Sequence, residues 1–128
     1  MIIKAMTFAI LLIISGCVDA KLSSEGLIST TTVTEVSCSG VVANETINIQ
    51  AYTFSSGSVA IFDEQVVKWK NLDPVTHSVT SGLLSLPDGK FNITLQPNTE
   101  RCLRFINSGA FTYFCKFHSN MTAEVIVQ

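Results

Sequence analysis

Basic clusters, helical periodicity and histidine are what this chain of 128 residues has least of. Its 8 lysines and arginines never gather, so the electrostatic footprint of a nucleic-acid binder is missing. The apolar run Ala5 to Ile14 has ten residues, whereas a membrane-spanning helix needs about 20, which argues against a transmembrane segment. After residue 17 no segment holds a helical period long enough to matter. No nucleophile sits beside a base and no carboxylate pair stands out, so nothing points to an enzyme. Histidine occurs only twice, at His77 and His118. Both therefore carry weight in any reading of function.

What is present begins with an export signal. Lys4 precedes the apolar run, and small residues Ser15 and Gly16 follow it, the layout of a secretory leader. "Ile14-Ser15-Gly16-Cys17" resembles the lipobox of bacterial-type lipoproteins, in which the cysteine receives lipid and becomes the first mature residue. The expectation is a leader over residues 1–16 and a lipidated Cys17. A Ser- and Thr-rich tether to residue 32 then leads to one domain over residues 33–128. Such a chain is exported to the outer face of a cell membrane or the periplasm.

From Thr32 onward short β-like runs alternate with turn residues. "TINIQAYTF" (Thr46–Phe54), "QVVKWKN" (Gln65–Asn71), "KFNITL" (Lys90–Leu95), "CLRFI" (Cys102–Ile106), "AFTYFC" (Ala110–Cys115) and "TAEVIV" (Thr122–Val127) are rich in β-branched and aromatic residues. Leu103 and Phe105 share one face, as do Phe91, Ile93 and Leu95. "SSGS", "LDP", "PDG", "QPNT" and "NSG" punctuate the runs. "NSG" (Asn107–Gly109) reads as a tight hairpin that pairs "CLRFI" with "AFTYFC". About seven or eight strands in one domain predict an all-β Greek-key sandwich. Trp69, alternating with Val67, belongs to its core.

The chemistry concentrates near the end, in "FTYFCKFHSNM". Cys115, His118 and Met121 follow one another at steps of three, and His77 comes from an upstream N-x-D-x3-H segment. A strand end holds Cys115, a short turn returns His118 and Met121 to the same point, and His77 approaches from the separate loop or strand start after "QVVKWKN". Thiolate, two imidazoles and a thioether suit copper, since Cu(I) favours sulfur and imidazole binds both oxidation states. Trigonal His2Cys with a weak axial Met describes a blue-copper electron-transfer site.

"VVKWKNLDPVTHSVTSG" and "SGAFTYFCKFHSNMTAEVIV" resemble the two metal-binding segments of the cupredoxins, above all the plastocyanin and amicyanin branch. The resemblance runs from about Thr46 to Val127, and the short C-x2-H-x2-M loop is closer to amicyanin. It implies one copper bound by His77, Cys115, His118 and axial Met121, and one-electron transfer between redox proteins by a monomer. Two positions depart from the family's habit. Phe117 and Ser119 flank His118 where proline is common, and Ser78 stands after the first histidine where asparagine braces the loop.

With Cys17 given to lipid and Cys115 to copper, Cys38 and Cys102 remain as a disulfide pair in an oxidising compartment. Cys102 alternates with Leu103, which places the bridge on the outer face. Three sequons, at Asn44, Asn92 and Asn120, read as incidental, and a glycan on Asn120 would crowd the ligand loop. The same ligands could serve a copper carrier delivering metal to a membrane oxidase. A multicopper enzyme would need further histidines, which the chain lacks.

Overall fold

The computed structural model describes residues 32–128. The leader, Cys17 and all but the last residue of the tether lie outside the described residues. Among these residues there are ten strands and no helix. They are β1 (Val33–Val36), β2 (Glu45–Gln50), β3 (Thr53–Phe54), β4 (Ser58–Ile61), β5 (Val66–Asn71), β6 (His77–Leu83), β7 (Leu86–Leu95), β8 (Glu100–Phe105), β9 (Gly109–Phe114) and β10 (Thr122–Val127). One sheet has the order β1-β8-β5-β2-β3 and the other β4-β10-β9-β6-β7. The expected β-sandwich is what the chain forms.

The period-2 pattern explains how the two sheets close on each other. Ile47, Ile49, Val67, Trp69, Leu103 and Phe105 are buried from the first sheet. Val79, Ile93, Leu95, Phe111, Tyr113, Val125 and Val127 are buried from the second. Trp69 is fully buried, with its ring 5.6 Å from that of Tyr113 in an edge-to-face arrangement. It is a core residue, as the alternation with Val67 indicated. Neither its indole nitrogen nor the Tyr113 hydroxyl has a hydrogen-bond partner among the described residues, and burial raises the Tyr113 phenol above its ordinary pKa.

The structure departs from the sequence reading at three places. Asn107–Gly109 is not a hairpin. β8 pairs with β1 and β5, whereas β9 pairs with β10 and β6, so the turn carries the chain from one sheet to the other. The cause lies in the core, where Phe105 and Phe111 meet edge to face at 5.1 Å from opposite sheets. A hairpin would have set them side by side on one sheet. Second, "TINIQAYTF" is two strands, because Ala51 and Tyr52 both adopt positive φ and fold β3 back on β2. Third, "HSVTSGL" is a strand although it is largely polar, and β1 and β4 are further short strands; together these raise the count above eight.

β6 is the most completely buried strand. From His77 to Gly82 every residue is buried, and its polar side chains are paired rather than solvated. Ser81 Oγ donates to Phe91 O and accepts from Phe91 N, replacing ladder bonds where β7 bulges away. Gly82 is required at the far end, because a Cβ there would lie 2.0 Å from Leu86 O. The Cys38 and Cys102 sulfurs are bonded, with Cα atoms 5.4 Å apart. Cys102 faces away from Leu103 yet is fully buried, since the segment beyond β1 lies over it.

Candidate metal centre

The loop from β5 to β6 is built by Asn71. Its buried side-chain amide donates to Val75 O at 2.8 Å and Leu95 O at 3.1 Å, while its Oδ1 accepts from Asp73 N at 3.0 Å. These bonds close the turn around Pro74 and deliver His77 as the first residue of β6, fully buried. His77 Nε2 lies 2.8 Å from Asp73 Oδ2, which leaves Nδ1 facing Cys115 Sγ at 3.8 Å. The same carboxylate accepts from Ala51 N at 2.7 Å and Tyr52 N at 2.9 Å. Burial opposes ionisation of Asp73, but the Tyr52 and Ala51 amides and the His77 ring outweigh it and hold the carboxyl below its ordinary pKa.

The other side of the site is the connection from β9 to β10. Cys115 N donates to Met121 O at 3.1 Å and Met121 N to His118 O at 3.0 Å, so the loop closes on itself. Cys115 is buried at one end and Met121, 3% exposed, at the other. His118 lies between them, half-buried, with Nδ1 3.7 Å from Cys115 Sγ. The His77, Cys115 and His118 ligand atoms all fall within 4.8 Å of one another. Metal–sulfur and metal–nitrogen legs of about 2.3 and about 2.0 Å, opened at 120°, would set sulfur and nitrogen ~3.7 Å apart. Both sulfur–nitrogen spacings match that figure, so the Cys115 thiol and the two imidazoles are spaced to share one first-row transition ion.

No protein-family model matches the chain. Nor does any curated protein. Solved structures do match. A methionine-to-alanine variant of amicyanin in its Cu(I) form superposes with a TM-score of 0.64 at 18% identity, covering 76% of this chain and 99% of that one. Amicyanin from Paracoccus versutus gives a TM-score of 0.62 at 21% identity over 76% of this chain and 98% of its own. A purple cupredoxin from Nitrosopumilus maritimus gives 0.61 at 24% identity, over 66% of this chain and all of its own. The chain has the cupredoxin fold.

Within that cupredoxin scaffold, the departures noted in the sequence have a structural answer. Ser78 stands where the family favours asparagine, and it still braces the loop: Lys116 N donates to Ser78 Oγ at 2.8 Å, and Ser78 N to Cys115 Sγ at 3.3 Å. Ser78 Oγ continues to Thr80 Oγ1 and on to Asn92 Oδ1, each at 3.0 Å. A hydroxyl chain thus ties the start of β6 to the Cys115–Lys116 segment and to β7. Phe117 is exposed beside His118, as are Leu72 and Tyr52 on the neighbouring loops. Sequence reasoning flagged Asp73 only as part of a motif and passed over Tyr52. No local signal marked it, since "TINIQAYTF" reads as one unbroken run without glycine or asparagine at the turn.

Proposed function

We propose that the chain is a single-electron carrier in which His77, Cys115, His118 and Met121 would hold one type 1 copper. The near-equal spacing of the Cys115 sulfur from the two imidazole Nδ1 atoms, 3.8 and 3.7 Å, carries this reading. Copper bound there supplies a Cu(I)/Cu(II) couple whose oxidised form carries a thiolate charge-transfer band. The chain's own part is to hold one geometry through both states. His77 is fixed by Asp73, Cys115 by the Ser78 amide, and the loop by the Cys115–Met121 and Met121–His118 backbone bonds. Such second-layer bonds orient ligands and tune potential.

His118 is the least buried of the three, so it offers the route for the electron. The exposed Phe117, Leu72 and Tyr52 give a partner redox protein an apolar surface in the same loops. Cys17 would carry lipid and hold an exported monomer at the membrane. β1 begins opposite Phe105, at the end of the sandwich away from Asn71 and Thr99, so the described chain enters at the end opposite the site. The rigid, largely buried ligand set favours a carrier over a protein that hands its copper to an oxidase. Copper-loaded protein should show an intense visible band that Cys115→Ser abolishes. A colourless Cu(II) form, or a band surviving that substitution, refutes the reading; rapid loss of copper to a mild chelator would favour delivery.

A further inference from the structure

Tyr52 occupies a position where an aromatic residue is costly. The two-residue turn Ala51–Tyr52 has φ of 51° and 57°, the left-handed conformation for which hairpins favour Asn-Gly. Strain of this kind persists only where the surroundings over-determine it. Here they do: both turn amides donate to the buried Asp73 carboxylate, the same group that receives His77 Nε2. The turn presents the Tyr52 ring edge-to-face to both imidazoles. Its centroid is 5.6 Å from that of His77 at 82°, and 4.8 Å from that of His118 at 79°.

The two imidazoles need that contact unequally. His77 is enclosed and has Nε2 anchored on Asp73. His118 is half-buried, and among the described residues its ring nitrogens make one contact, Nδ1 to Cys115 Sγ. Its ring orientation therefore depends on the two rings that pack against it, the anchored His77 at 4.9 Å and 54° and the edge-to-face Tyr52. We propose that Tyr52 is a positioning residue of the metal centre, whose ring holds the His118 imidazole in its ligating orientation. Asp73 completes the device, since one carboxylate ties the turn bearing Tyr52 to the other imidazole. The inference rests on His118 being a ligand, but the ring contact exists in the protein without metal.

The test therefore has a metal-free arm and a copper arm on the full chain. In metal-free protein, NMR should show cross-relaxation between Tyr52 and His118 ring protons and a single set of His118 ring signals. Tyr52→Phe should keep both, because the ring and not the hydroxyl is the agent. Tyr52→Leu should leave His77 with a single, shifted set of ring signals, because Asp73 still anchors it, and average the His118 signals over several orientations. In copper-loaded protein, Tyr52→Leu should lose copper to a chelator roughly threefold to tenfold faster, the factor an edge-to-face aromatic pair carries, and Tyr52→Phe should match wild type. Equal rates and unchanged His118 signals in Tyr52→Leu overturn the proposal, as does Tyr52→Phe behaving like Tyr52→Leu. Should Tyr52→Leu not fold, missing Tyr52–His118 cross-relaxation in wild type overturns it as well. Failure of the wild type to form a coloured copper site would refute the electron-carrier reading and leave the metal-free arm to decide Tyr52.

Discussion

Asp73→Ala removes a single acceptor group that serves three donors, Ala51 N, Tyr52 N and His77 Nε2. Hydrogen bonds to a charged group are each worth about 1.5–3 kcal/mol. The turn amides belong to exposed residues and can turn to water, which returns much of their share. His77 is fully buried and finds no replacement. The expected loss is about 3–4 kcal/mol of metal-free stability by urea denaturation at neutral pH. Asp73→Asn keeps the volume and one accepting oxygen, so about half that loss is expected. Metal affinity should fall by roughly 10- to 100-fold in either variant, as for other partners of ligating histidines.

The sign of the pH dependence follows from the lowered Asp73 pKa. A depressed carboxyl contributes stability that is present above the unfolded aspartate value, about 3.9, and is lost as pH falls through the lower folded value. The gap between wild type and Asp73→Ala should therefore be full at neutral pH and narrow below about pH 4. An Asp73→Ala variant within about 0.5 kcal/mol of wild type at neutral pH would refute the reasoning. So would a gap that does not narrow in acid.

Three further outcomes are expected. Ser78→Ala leaves Lys116 N without its acceptor and should cost about 1–2 kcal/mol, read by denaturation. Ala51→Gly removes a Cβ from a left-handed position, a relief of roughly 1–2 kcal/mol, against an entropic cost of about 0.5–1 kcal/mol. A small net gain in denaturation midpoint should result. Joint Cys38→Ser and Cys102→Ser replacement opens a link across 64 residues, which the chain-entropy relation values at about 4 kcal/mol. Wild type under reducing conditions should show the same drop.

The sandwich was legible because its strands follow period 2 and their apolar faces are complete: Phe91–Ile93–Leu95 and Leu103–Phe105 are buried as their alternation requires. The cluster of His77, Cys115 and His118 was legible because few chemistries combine thiol and imidazole at that spacing. Strand pairing was not. "NSG" satisfies hairpin chemistry, but the partner of β9 is set by aromatic packing between sheets, a non-local term that local turn signals do not carry. The start of β6 at His77 was one of two readings, but its length and burial escaped because its serines and threonine find hydrogen-bond partners farther along the chain, on Phe91 and Asn92. Tyr52 escaped for a similar reason: Asp73, 21 residues away, holds a turn that its own residues disfavour.

The proposed ligands all belong to β6 and the β9–β10 connection of one sheet, whereas the Ala51–Tyr52 turn belongs to the other. Asp73 lies on the crossing between them, so the metal end of the sandwich is latched by a few hydrogen bonds and one aromatic ring. Opening that end to free a ligand requires the latch to open first. Amide hydrogen exchange should register this as one cooperative event. The Ala51 and Tyr52 amides, which touch no ligand atom, should become slower to exchange when the site is loaded, and their protection would report occupancy from the opposite sheet.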